Sequence, residues 1–245
     1  MPQNEYEKIF NYSPNFNSNK RKYKQIKFLI FHYTGMRKES DAINRLTNIQ
    51  SEVSSHYLIQ RNGTINVIVP DLYVAWHAGK SFWKGFKSLN KNSIGIEISN
   101  PGHDHTYINF SKKQIQSILY LSKSLIKKYK IKSSNVLGHS DIAPFRKKDP
   151  GEKFPWKHLA KLGVGRWHSL SNKILKKNRV KKISINEKKI FFKNLFIIGY
   201  PKKVLNEKNL VSAFQRRYRQ DLINGKIDQE CLLISKNLAK LLNLK

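Results

Sequence analysis

Residues 25–33 read QIKFLIFHY and are followed by Thr34-Gly35. Apolar and aromatic over the length of a strand and ended by a turn residue, this run predicts a largely buried strand with His32 at its C-terminal end. Working outward, residues 93–99 (SIGIEIS) alternate, so that Ile94, Ile96 and Ile98 share one face while Gly95, Glu97 and Ser99 share the other. Residues 135–137 form a short strand that delivers GHSDIAPFRKKDPG, residues 138–151. Residues 56–60 and 64–69 flank Arg61-Asn62-Gly63, where Asn-Gly supplies the positive φ of a hairpin turn. Ser40 or Asp41 is expected to cap a helix through Ala42, Ile43, Leu46 and Ile49. A long helix should begin at Ser111, run to about residue 129, and bury Ile115, Ile118, Leu119, Leu125 and Ile126. Strands alternating with helices imply the α/β class, with a mixed central sheet flanked by helices.

The organisation changes toward the C-terminus. From residue 163 to 186 the chain is basic and lacks long apolar runs. Beyond it, residues 190–200, 206–219 and 228–242 read as helices, with Asn206 and Asp228 as N-caps and Leu210, Val211, Phe214 and Tyr218 as one apolar face. The expected domains are an N-terminal arm (1–24), an α/β domain (25–165), a linker (166–186) and a small three-helix domain (187–245).

The chain has 245 residues, 39% of them hydrophobic, and its 47 Lys and Arg against 16 Asp and Glu give a formal charge of +31. Such a charge draws a protein toward polyanions such as nucleic acid, anionic lipid or cell wall. The lysines are spread along the whole chain, however, which equally suits a solvated basic surface. A nucleic-acid binder would need its basic residues clustered with a recognition helix or stacking platform, and neither is present. A single cysteine, Cys231, excludes an intrachain disulfide framework and a cysteine metal cluster. The N-terminal stretch has no apolar core of signal-peptide length, and no segment reaches the roughly 18–20 apolar residues of a membrane span. These features set the expectation of a cytoplasmic monomer without a transmembrane segment.

Two histidines and a carboxylate are the side chains that open zinc sites favour, because three protein ligands leave a fourth position free. His32, His139 and Asp149 are the candidates. Both histidines end apolar strands and can converge at the carboxyl edge of one sheet, where α/β folds bind ligands. The competing reading for each is a hydrogen-bonded scaffold residue.

Together with these residues, His32-Tyr33-Thr34, Ser54-Ser55-His56-Tyr57, Ala75-Trp76-His77-Ala78-Gly79, Leu89-Asn90, Ser93-Ile94-Gly95-Ile96-Glu97, Gly138-His139-Ser140-Asp141-Ile142-Ala143-Pro144, Arg146-Lys147-Lys148-Asp149-Pro150-Gly151 and Phe154-Pro155-Trp156 occur in one order. Over residues 25–165 the chain thereby resembles the zinc-dependent N-acetylmuramoyl-L-alanine amidases, whose fold is shared with peptidoglycan recognition proteins. The resemblance implies a Zn2+ cofactor on His32, His139 and Asp149, Glu97 as proton carrier and Lys147 as stabiliser of the oxyanion. It implies peptidoglycan or a muropeptide as substrate, cut between N-acetylmuramic acid and L-alanine. A wall-binding module without catalysis is the alternative, since some relatives of this fold are inactive. Residues 210–219 and 225–228 resemble the three-helix peptidoglycan-binding domain appended to some murein hydrolases. Because members carrying that module are typically exported, a periplasmic or envelope location is the alternative to the cytoplasm.

Trp76 and His77, with Asn90 behind them, are expected to contact substrate; the competing reading is a loop anchored by buried aromatics, Phe82 and Trp83 included. His56 is expected to support the fold, Asp141 and the prolines 144 and 150 to shape the loop, and His103 and His105 to lie beside the cleft. His158 and His168 are read as surface residues, and Lys148 competes with Lys147.

Overall fold

The computed structural model describes residues 8–243, so residues 1–7 of the expected arm and 244–245 of the expected helical domain lie outside the described residues. Its strands are β1 (Lys8–Phe10), β2 (Phe16–Asn17), β3 (Phe28–Phe31), β4 (Tyr57–Ile59), β5 (Ile65–Val67), β6 (Val74–Ala75), β7 (Phe82–Trp83), β8 (Phe86–Lys87), β9 (Ser93–Ile98) and β10 (Val136–Gly138). Its helices are α1 (Glu39–Thr47), α2 (Lys112–Tyr129), α3 (His139–Ile142), α4 (Trp156–Lys161), α5 (Asn172–Asn178), α6 (Ile185–Ile198), α7 (Glu207–Tyr218) and α8 (Gln229–Asn243). The main sheet runs β1-β5-β4-β9-β3-β10 and is parallel except for the β4–β5 hairpin. This is the expected mixed α/β fold.

The sheet is covered on both faces, which is why all four residues of β3 are apolar and buried. Leu29 and Phe31 pack with Ile94, Ile96 and Ile98 and with Ile118, Leu121 and Leu125 of α2. Phe28 and Ile30 face the other way, onto a core that continues into Phe191, Leu195 and Ile198 of α6, Val211 and Phe214 of α7, and Leu232 and Leu238 of α8. The C-terminal helices are therefore one of the sheet's covering layers.

Several details depart from the sequence reading. Residues 8–24 carry β1, at the edge of the main sheet, and β2, paired with β6. Arg21, almost fully buried, donates to the carbonyls of Asn90, Ser93 and Asp71. The stretch 166–186 includes α5, whose Leu175 joins the C-terminal core. Helix α6 starts at Ile185 because Ser184 and Glu187 form a reciprocal capping box. Lys38 precedes α1, so Ser40 and Asp41 sit inside its first turn. Helix α2 does begin after Ser111, but its inward stripe is Ile118, Leu121 and Leu125, with Ile115, Leu119 and Ile126 only partly buried at its flanks. Asn206 does cap α7, accepting from the Asn209 N–H at 3.0 Å.

Register positions the chemistry. Phe31 pairs with Ile96 and Gly138 pairs with Phe31 in parallel ladders. One residue further along, Glu97, His32 and His139 stand side by side at the carboxyl edges of three adjacent strands.

Candidate active site

His32, His139 and Asp149 converge. The two Nδ1 atoms lie 2.9 Å apart, and Asp149 Oδ2 lies 3.1 Å from His32 Nδ1 and 3.0 Å from His139 Nδ1. All three residues are buried. Helix α3 begins at His139 and turns the chain out of β10; the loop then returns Asp149, whose backbone carbonyl accepts the Ser140 N–H at 2.8 Å.

The surrounding hydrogen bonds fix where the protons are. The Leu89 carbonyl can only accept, so the Ser93 hydroxyl donates to it at 2.7 Å and in turn accepts from His77 Nε2 at 3.1 Å. A neutral His77 then has a bare Nδ1, which accepts from His32 Nε2 at 3.0 Å. His77 is held neutral because burial, followed by His32 and His56, pushes its pKa well below the ordinary value. On the other side, His139 Nε2 lies 3.2 Å from the Ala78 carbonyl and 3.3 Å from Arg146 Nη2; the two hydrogens of that Nη2 already go to the Ala78 and Lys80 carbonyls, so His139 Nε2 donates to Ala78. Both Nδ1 atoms are consequently lone pairs, facing each other and a carboxylate. Burial and the neighbouring His139 push His32 down to about 4. Three facing donors without a proton between the nitrogens are what a small cation requires. Tetrahedral zinc, with bonds near 2.0–2.1 Å, would separate its ligand atoms by roughly 3.3 Å. Among the described residues this is the group that meets metal-ligand spacing.

The group opens into a cleft of about 570 Å³ walled by Tyr33, Arg45, Trp76, Glu97, Lys147 and Lys148, among others. Glu97 keeps one edge toward this cleft, whereas its Oε2 is enclosed and has no hydrogen-bond partner. Burial, then the Asp149 charge, raises its pKa to about 8, which gives the carboxyl the high proton affinity that a group exchanging a proton near neutral pH needs. The two lysines are not equivalent. The charge of Lys147 bears on both Glu97 and His32, and the residue is half-buried; Lys148 is exposed.

The other expected site residues fall into two groups. Trp76 borders the cleft and is held by Nε1 donating to Asn17 Oδ1 at 2.6 Å. His77 also borders it, but both ring nitrogens are engaged, so its polar contacts go to His32 and Ser93. Asn90 lies outside the cleft lining; its Oδ1 accepts the backbone N–H groups of His77 at 3.2 Å and Ala78 at 2.7 Å and shapes that loop. Trp83 is buried against Tyr200, as an anchor. His56 supports the fold, its Nδ1 accepting the Gly95 N–H at 3.0 Å. His103 bridges Tyr33 and Glu152 beside the cleft. His168, expected at the surface, is buried beside Trp167.

Sequence reasoning passed over Ser93 as a participant. A signal was present in Gly95, the glycine inside an otherwise isoleucine-rich strand. A Cβ there would lie 2.5 Å from His77 Cγ, so the glycine admits the imidazole that links Ser93 to His32.

Comparison with known proteins agrees with this geometry. Residues 22–152 match the Amidase_2 family, described as N-acetylmuramoyl-L-alanine amidase. The chain is 36% identical over 235 residues to the N-acetylmuramoyl-L-alanine amidase AmiD of Escherichia coli, covering 89% of this chain and 84% of AmiD. It is 42% identical over 104 residues to the 1,6-anhydro-N-acetylmuramyl-L-alanine amidase AmpD of Escherichia coli, covering 42% of this chain and 55% of AmpD. Among solved structures, AmiD from Escherichia coli in complex with anhydro-N-acetylmuramic acid-L-Ala-D-gamma-Glu-L-Lys superposes with a TM-score of 0.80 at 34% identity, over 92% of this chain and 93% of that one. AmpDh3 from Pseudomonas aeruginosa gives a TM-score of 0.79 at 28% identity, over 93% and 96% of the two chains. The chain belongs to the N-acetylmuramoyl-L-alanine amidase family.

Proposed function

We propose that this amidase uses zinc, held by His32, His139 and Asp149, to hydrolyse the amide between the lactyl group of N-acetylmuramic acid and the L-alanine of the stem peptide. The observation that carries this reading is the convergence of two bare Nδ1 atoms and a carboxylate oxygen within 3.1 Å at the base of an open cleft. When bound, zinc supplies polarisation of the scissile carbonyl and an acidified attacking water. Glu97 takes the proton from that water and returns it to the leaving amine. Lys147 presents its ammonium to the oxyanion that develops on the carbonyl. His77 and Asn90 act from behind, one orienting His32 and the other shaping the loop, while Trp76 offers its ring to the substrate. Peptidoglycan or a muropeptide is the substrate class, and the substrate named for the AmiD complex supports it.

Residues 25–165 form the catalytic unit in this reading, and the helices beyond residue 185 hold the peptidoglycan strand. The Phe214-Gln215-Arg216 run and the turn at Gly225 support that assignment. Gln215 accepts the Gly225 N–H at 2.9 Å, so the two parts of that sequence pattern form one structural unit.

Elemental analysis tests the metal. Purified protein is expected to carry one zinc per chain and His139→Ala to carry none. Equal zinc in both would remove His139 from the ligand set.

A further inference from the structure

The segment from Val136 to Phe154 carries both His139 and Asp149, and the C-terminal helices grip it at both ends. Asp141 Oδ2 accepts the Gly138 N–H at 2.8 Å, fixing the backbone immediately before His139. Asp141 Oδ1 accepts from the hydroxyl of Tyr200 at 2.8 Å, and all of these groups are buried. Tyr200 follows α6 directly and is locked edge-on against Trp83, ring centroids 4.9 Å apart. Arg217 reaches in from α7. Its guanidinium lies 3.3 Å above the Trp156 ring, its Nη2 donates to the Val136 carbonyl at 3.1 Å, and its Nη1 lies 3.8 Å from Asp141 Oδ2. At the far end Gln220 Nε2 donates to the carbonyls of Glu152 at 2.5 Å and Phe154 at 2.7 Å, just beyond Asp149. The two ends also touch, since a Cβ on Gly138 would lie 2.7 Å from Pro150 Cδ.

We infer that the C-terminal helices brace the ligand-bearing loop, with Tyr200, Arg217 and Gln220 as positioning residues that set His139 against Asp149. The inference rests on the proposed role of those two residues as metal ligands. It gives the helical region a task in the reaction in addition to any contact with the wall. Tyr200 and Arg217 act at the His139 end and Gln220 at the Asp149 end. Loss of any one lets the two donors drift from the 3.0 Å separation seen here. Metal sites respond to displacements of that order because ligand geometry has to be held within about 0.5 Å.

Full-length Tyr200→Phe, which removes one hydroxyl, is to be compared with unmutated protein and with Lys240→Ala, an exposed change on α8 away from the loop. Each is loaded with cobalt(II), and its visible absorption spectrum, rate of metal release to a chelator, unfolding temperature and kcat and KM with zinc are recorded. Tyr200→Phe is expected to alter the cobalt bands, release metal about tenfold faster, near the low end of the range for groups supporting a ligand, and lose kcat with KM unchanged. Gln220→Ala should do the same from the other end, and Lys240→Ala should match unmutated protein. Superimposable spectra and equal release rates, or a lowered unfolding temperature as the only change, would overturn the inference. Failure of the unmutated protein to bind cobalt would instead remove the metal reading on which it rests.

Discussion

His32 and His139 turn their Nδ1 atoms toward each other at 2.9 Å, although each is buried and each already uses its Nε2 elsewhere. Two unprotonated nitrogens beside a carboxylate repel unless a cation lies between them. The relay from His32 through His77 and Ser93 to the Leu89 carbonyl maintains that state, because only one arrangement of protons satisfies every partner. Ser93→Ala removes the acceptor for His77 Nε2 and frees His77 to change tautomer. Zinc affinity should fall by about 10–100-fold, as for other groups that orient a metal-bound histidine. Chelator competition measures it, and unchanged affinity would show that the relay does not set the His32 tautomer.

Glu97→Gln keeps the size of the side chain and removes its basicity. The expected result is full zinc content with kcat reduced about 10²–10⁴-fold, the range for loss of a general base. Turnover within a fewfold of the unmutated enzyme would take Glu97 out of the proton transfer.

Lys147 and Lys148 are neighbours with different surroundings. Lys147→Met should lower kcat by about 10²–10³-fold, as removal of an oxyanion stabiliser does, whereas Lys148→Met should change it little. Steady-state kinetics on one muropeptide decides between them. The reverse ranking would assign the oxyanion to Lys148.

His56 predicts how stability depends on pH. Burial, then the nearby Arg21 charge, depresses its pKa from 6.5 to about 3. Its Nδ1 accepts the Gly95 N–H, so the folded protein holds the ring neutral. The unfolded chain binds the proton first as pH falls, so the contribution is complete above about 6.5 and is lost below it, toward the folded pKa. Urea unfolding should show a loss of about 1–2 kcal/mol between pH 7 and pH 5 from this group, at up to about 1.4 kcal/mol per pH unit. A stability that is flat over that interval would contradict a neutral buried His56.

Much of this arrangement was legible in the sequence, for physical reasons. The strands ending at His32 and His139 are continuous apolar runs because the sheet is covered on both faces, and the alternation around Glu97 sets its carboxylate opposite the isoleucines. Local patterns report such things directly. What they do not report is a partner distant in sequence. Tyr200 lies 59 residues from Asp141, and nothing in its local pattern marks the bond. Asn90 and His77 suited a substrate role by residue type, yet their polar atoms turn to backbone and to other side chains. The stretch 166–186 read as a linker because it is basic, but a basic segment still forms a helix when one residue, Leu175, can enter a neighbouring core.

The central claim, a metal amidase built on His32, His139 and Asp149, is tested most directly by mass spectrometry of muropeptides digested with and without a chelator. The expected products are free stem peptide and peptide-free muramyl saccharide, abolished by chelation and restored by added zinc. Undiminished release of stem peptide by metal-free protein would contradict the account.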